Sequence, residues 1–189
     1  MIRLQNGEIP AFESLVDRYQ SPLIGFFVRN THDRHLAEDL AQETLLKVFD
    51  QSWNYLPRGR FRGWMYRIAR NLMIDHHRRQ SHDALIRTIT GRCDDEADAL
   101  ARLAGEVLSP VQQAGDRELA QAIDDSLAEI PEEQRVTFTL HHYAGLPLGE
   151  VAEITDTSLS TCKSRLRLAR EKLSQCLKRK GVEPHASAE

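Results

Sequence analysis

Cysteine is scarce in this chain. Cys93, Cys162 and Cys176 are the whole complement, and none stands in a CxxC pair. An odd set at such spacings is no disulfide framework and suits a reducing cytoplasm. Long apolar runs are absent as well, so nothing in the sequence approaches the roughly 20 residues that a bilayer crossing needs. The start, "MIRLQNGEIPAF", has no apolar h-region of a secretory signal, which again points to the cytoplasm. There is no convincing period-2 alternation, which argues against strands and for an all-α fold. Gly-rich phosphate loops, nucleophile motifs and zinc-ligand spacings are missing too, so neither an enzyme nor a cofactor or metal protein is expected. The pairs His76/His77 and His141/His142 do not change this, because adjacent helical residues point about 100° apart.

What is present is segregated charge. The formal net charge is only −3, with 41% hydrophobic and 28% charged residues, as in a globular protein. From 94 to 129 there are ten acids against two arginines, and from 163 to 180 eight lysines and arginines against one glutamate. A second basic block, "RGRFRGWMYRIARNLMIDHHRR" at 58–79, holds seven arginines and one acid, interleaved with aromatic and aliphatic residues. A single basic run is most simply a solvated helix face; two, separated by an acidic stretch, suggest a polyanionic partner.

Apolar spacing predicts helices over most of the chain. Residues 10–29 place Phe12, Leu15, Val16 and Tyr19 on one side, with Pro10 suited to a helix start. After the polar break "NTHDRH", Leu36, Leu40, Leu45, Val48 and Phe49 mark a second helix ending near Trp53. "NYLPRGR" reads as a loop. A third helix runs from Phe61 to about Arg79, with Trp64, Ile68, Leu72 and Asp75 three or four apart. The expected organisation is two small helical domains: an N-terminal bundle over 1–80, an acidic flexible linker over 81–112 with a helical turn near Ala97–Leu108, a C-terminal domain over 113–180, and a disordered tail over 181–189. In the C-terminal domain "DRELAQAIDDSLAEI" forms a helix closed before Pro131, and "EEQRVTFTLHHYA" another ending at Gly145.

The segment "LPLGEVAEITDTSLSTCKSRLRLAREKL" reads as a helix-turn-helix. Leu148, Val151, Ala152 and Ile154 give a short apolar face, "TDTS" a turn, and Leu159, Cys162, Leu166, Ala169 and Leu173 a longer face. Ser158 suits the N-cap of the second helix. Ser160, Thr161, Ser164 and Arg167 then project to the opposite side, flanked by Lys163 and Arg165, as a major-groove reader requires. A helical hairpin in a protein interface would look similar. Cys162 falls on the apolar side and reads as a small buried hydrophobe.

In the first basic block, Arg60, Phe61, Arg62, Tyr66, Arg67, Arg70 and Asn71 offer cations for phosphates, rings for stacking and an amide for a base edge, a mixture suited to unpaired DNA. The plainer reading, with Trp64, Ile68 and Leu72 as core and the arginines solvated, fits the same spacing.

Four segments, "AEDLAQETLLKVF", "FRGWMYRIARNLMIDHHRR", "LAEIPEEQR" and "STCKSRLRLAREKL", resemble in order and spacing the extracytoplasmic-function group of bacterial RNA polymerase sigma factors, from Gly7 to about Lys180. The resemblance implies a promoter-specificity subunit that binds the clamp and flap of core RNA polymerase, directs initiation at minus-thirty-five/minus-ten promoter DNA and assists strand opening. It allows an anti-sigma factor as a further partner. It assigns clamp binding to Asp39, Gln42 and Glu43, although the spacing of Asp39 and Glu43 alone fits a solvated acidic face better. It assigns the minus-ten element to the loop Asn54–Arg60 and to Arg60, Phe61, Arg62, Tyr66, Arg67, Arg70, Asn71, Asp75 and Arg78. The minus-thirty-five element falls to Ser160, Thr161, Lys163, Ser164, Arg165 and Arg167. Three departures stand out: Cys162 where the family commonly has valine, "LPRGRF" in place of a glycine or acid-rich loop, and an N-terminus a few residues shorter than usual. A competing reading is a conventional helix-turn-helix regulator with an N-terminal helical sensing domain, but a sensing domain has no reason to be basic and aromatic.

Overall fold

The computed structural model describes residues 1–57, 59–90 and 114–180. They form eight α-helices and a short 3-10 turn, with no strand among the described residues: α1 Ile2–Gln5, α2 Ile9–Thr31, α3 Arg34–Asp50, the turn Ser52–Asn54, α4 Phe61–Thr90, α5 Ala114–Ala128, α6 Glu132–His142, α7 Leu148–Thr155 and α8 Leu159–Arg179. Two compact units result, Met1–Gly105 and Glu106–Glu189. The expected turn near Ala97–Leu108 and the expected tail at 181–189 lie outside the described residues. No helix among the described residues is long and apolar enough to cross a membrane.

In the first unit α2 starts with Pro10 in its first turn and continues through Pro22 to an end at His32, which adopts the left-handed conformation at φ 58°. Only His32 and Asp33 separate α2 from α3, and the Asp33 carboxylate accepts the Leu36 N–H at 3.0 Å as N-cap, so the polar break is shorter than its composition suggests. The core is built by Leu23, Phe26 and Phe27 of α2, Ala37, Leu40, Ala41, Leu45 and Val48 of α3, and Met65, Tyr66, Ala69, Leu72 and Met73 of α4. Phe12, Leu15, Val16 and Tyr19, expected as the buried side of α2, are half-buried; the weight of its packing sits one to four turns later. On α4 the buried side is rotated by roughly a quarter-turn from the expected Trp64, Ile68, Leu72 and Asp75 stripe. Asp75 is exposed, and Trp64 half-buried.

Helix α4 also runs to Thr90, past the expected end at Arg79. No glycine or proline intervenes between Gly63 and Gly91, so each added residue can extend the hydrogen-bond ladder cheaply once the helix exists.

The second unit packs α5, α6 and α7 around α8. Leu127, Ile130, Ala169 and Leu173 form a buried cluster, joined by Ile123 and Phe138. The Arg135 guanidinium donates to the carbonyls of Leu127 and Ile130 at 3.5 and 3.3 Å, covering the open end of α5. Arg179 pairs with Glu129 at 2.6 Å and Lys180 with Asp125 at 3.5 Å, tying the end of α8 to α5.

Candidate nucleic-acid interface

Helix α8 enters after a three-residue turn, Asp156 to Ser158, in which Asp156 sits at φ 53°. Ser158 caps α8 as expected: its Oγ accepts the Thr161 N–H at 3.0 Å and lies 2.8 Å from both the Ser160 and Thr161 hydroxyls. One Oγ proton and two lone pairs are thereby used, and a cluster of short hydroxyls is fixed over the positive end of the helix. Cys162, Leu166, Ala169 and Leu173 are buried, with the Cys162 thiol pushed up in pKa by that burial. Leu159, expected among them, is 45% exposed.

Ser160, Thr161, Lys163, Ser164 and Arg167 are exposed together on the outward side of α8. Arg167 pairs with Glu171 one turn later at 2.5 Å, an exposed contact that DNA could displace at little cost. Arg165 is the correction in this set. Its guanidinium is bonded to Glu133 on α6, and its side chain is only 19% exposed. At about 100° per residue it lies far round the helix from Ser160 and Ser164, so it braces α8 against α6 instead of facing outward.

On α4, Arg67, Asn71, Asp75 and Arg78 form one exposed stripe, three or four residues apart, and Arg60 is exposed just ahead of the helix. The other expected residues scatter. Arg62 is exposed but near the opposite side of the helix, Arg70 is half-buried, and Phe61 is half-buried in an aromatic cluster with Tyr19, Tyr55 and Trp64 at ring distances of 5.2, 5.9 and 6.1 Å. Tyr66 is a second correction. It is 2% exposed, edge-on to Phe26 at 5.4 Å, and desolvation pushes its phenol up to about 12. A ring in the core cannot stack on a base without opening the bundle. The phase of α4 against α2 and α3 decided this, and sequence spacing did not reveal that phase.

The loop between α3 and α4 carries Trp53 at 76% and Leu56 at 63% exposure. These exposed apolar side chains were not singled out from sequence; their place beside Pro57 and Gly59 was the available signal. Gly59 turns the chain into α4 at φ 73°, a conformation in which a side chain would be strained. Arg58 lies outside the described residues.

Asp39, Gln42 and Glu43 share an exposed side of α3, and Leu46, 58% exposed, lies in the same stripe. Glu43 also reaches Lys47 at 3.6 Å. Among the described residues no three His, Cys, Asp or Glu side chains gather as a metal would require.

The chain is similar to known proteins over both of its units. The sigma-70 region 2 family model matches residues 15–83, and the sigma-70 region 4 model matches residues 120–173. The RNA polymerase sigma-H factor of Pseudomonas aeruginosa is 29% identical over 178 residues, 93% of this chain and 90% of that protein. The ECF RNA polymerase sigma factor SigE of Mycolicibacterium smegmatis is 31% identical over 182 residues, 95% of this chain and 66% of that protein. In fold, the chain is similar to the sigma factor RpoE solved in complex with the anti-sigma factor NepR from Bartonella quintana, at a TM-score of 0.72 and 20% identity, over 90% of this chain and 98% of that one.

Proposed function

Since the chain belongs to the extracytoplasmic-function group of sigma-70 RNA polymerase sigma factors, it is a promoter-specificity subunit, and we propose how its residues divide that work. The first unit holds core polymerase through Asp39, Gln42 and Glu43, with Leu46 as the apolar centre of the contact. It reads the minus-ten element through Arg60, Arg67, Asn71, Asp75 and Arg78 together with the loop 54–60. The second unit docks α8 on the minus-thirty-five duplex through Ser160, Thr161, Lys163, Ser164 and Arg167. Arg70 reaches a backbone phosphate from the flank of α4, whereas Arg62, near the opposite side of the helix, is left out of this contact. All of this is binding without catalysis, carried out on DNA in the cytoplasm, and an anti-sigma protein is a further partner covering exposed apolar surface in the first unit.

The observation that carries this reading is the stripe on α4, where an amide stands between arginines over a rigid core. Cations hold the backbone whether or not the strands are paired, but a carboxamide gains a new partner when a base edge is freed. Asn71 is therefore assigned to the melted strand. Because the Tyr66 ring is in the core, stacking passes to exposed rings such as Trp53. Tethering two weak modules raises the effective concentration of the second contact, which gives selectivity for DNA carrying both elements.

Run-off transcription with bacterial core polymerase, with and without the chain, tests the function, and permanganate footprinting of unpaired thymines tests the strand assignment. Asn71→Ala should lower opening of a duplex promoter more than initial binding, with the defect shrinking on a pre-melted template. Normal melting by Asn71→Ala, or an equal loss on both templates, would remove Asn71 from strand capture.

A further inference from the structure

We propose that Gln5, on the edge of α1, is a positioning residue that fixes the loop between α3 and α4 in the conformation that reads the minus-ten element. The inference rests on the assignment of that loop in the proposed function. Gln5 stands 47 and 50 residues away from the two groups it binds: its carboxamide nitrogen donates to the carbonyl of Ser52 and to that of Tyr55, each at 2.8 Å. Both partners can only accept, so the nitrogen, not the oxygen, must face them, and both of its protons are used. The Ser52 carbonyl also takes the Tyr55 N–H at 3.1 Å, which leaves the 3-10 turn closed on itself and strapped to α1.

The strap adds to the packing of the Tyr55 ring, which also meets Phe61 at 5.9 Å. Leu4 anchors α1 as its buried residue, and Tyr55 is buried by its ring contact with Trp64 at 5.0 Å. On either side of Tyr55, Trp53, Asn54, Leu56 and Pro57 are exposed. A cleft of about 560 Å3 is lined by Ile2 and Arg3 of α1, Leu15 and Tyr19 of α2, Tyr55 of the loop and Phe61 of α4. Gln5 links α1 to the loop backbone at Ser52 and Tyr55. Fixing the Tyr55 carbonyl sets the starting direction of the chain into Leu56 and Pro57. A loop ordered in advance does not spend binding energy on its own ordering when a strand arrives, and its preference between bases is correspondingly sharper.

The experiment uses the full chain with Gln5→Ala and with Gln5→Glu, which keeps the size but turns acceptors toward the carbonyls. Hydrogen exchange of the 51–60 segment is measured beside transcription from promoters varied at the minus-ten element. Both variants should exchange faster in that segment by about fivefold, the loss expected for two solvent-accessible hydrogen bonds. Discrimination between minus-ten variants should narrow by a similar factor, while affinity for a minus-thirty-five duplex and for core polymerase stays parental. Parental exchange rates in both variants would overturn the strap. Faster exchange with unchanged minus-ten discrimination would overturn the positioning role. An Arg60→Ala arm separates the two levels: if it too leaves minus-ten discrimination intact, the loop's assignment has failed and the positioning role with it, whereas altered discrimination by Arg60→Ala alone isolates the failure at Gln5.

Discussion

A phenol with its hydroxyl withdrawn from water can ionise only by opening its surroundings, and Tyr66 is in that position, with desolvation raising its pKa from 10.0 to about 12. The unfolded chain releases this proton near pH 10 while the native state keeps it, so the folded protein binds more protons in that window. Its contribution is complete below the unfolded value and is lost as pH rises toward the folded one, by on the order of 2–3 kcal/mol. Urea unfolding at pH 8 and pH 11 should show about half of this loss, roughly 1.4 kcal/mol, in the parent and its absence in Tyr66→Phe, which should also keep promoter binding. A Tyr66→Phe protein as alkali-sensitive as the parent would place the titration elsewhere. Arg167 and Arg165 differ in kind although they are two residues apart. Arg167→Ala should weaken a minus-thirty-five duplex by about 1–3 kcal/mol if the guanidinium reads a base, or evenly across sequences with a shallower salt dependence if it meets phosphate. Arg165→Ala should instead lower the unfolding midpoint and leave the salt slope parental, because its partner Glu133 is within the protein.

Helix ends decide how the elements meet. Ser158 satisfies an open amide of α8 and also orders the Ser160 and Thr161 hydroxyls, so Ser158→Ala should cost about 1 kcal/mol of stability and weaken duplex binding beyond that. Thermal unfolding beside a duplex titration separates the two effects; a stability loss with unaltered DNA affinity would make Ser158 a cap alone. The turn before it runs through Asp156 at φ 53°, where an aspartate is tolerated and a β-branched residue is not. Asp156→Gly should unfold at or above the parental midpoint, whereas Asp156→Val should lose roughly 1–2 kcal/mol. On α3 the exposed stripe has no cap or core role, so reversing Asp39 and Glu43 to lysine should leave unfolding nearly unchanged while cutting capture of core polymerase. Undiminished capture would count against that face.

For the whole molecule, a net charge of −3 conceals two basic surfaces, and the salt dependence of binding should follow the surfaces, not the total. Affinity of the full chain for a minus-thirty-five duplex should fall steeply with salt despite the acidic balance, and Lys163→Ala with Arg167→Ala should flatten that dependence. Sequence by itself determined the all-α class, the helix-turn-helix with its Ser158 cap, the outward set from Ser160 to Arg167 apart from Arg165, and the exposed Asp39, Gln42 and Glu43. Each of these is written within one or two helical turns, where period and cap chemistry act locally. Tertiary structure alone decided which side of α4 is buried. The spacing of Trp64, Ile68 and Leu72 and that of Met65, Ala69, Leu72 and Met73 are both helical, and only the packing of α2 and α3 chooses the second, taking Tyr66 inward and leaving Asn71 outside. Packing likewise turned Arg165 toward Glu133 and brought Gln5 to the carbonyls of Ser52 and Tyr55. Contacts between residues tens of positions apart leave no periodicity in the chain, because they depend on where separate helices come to rest.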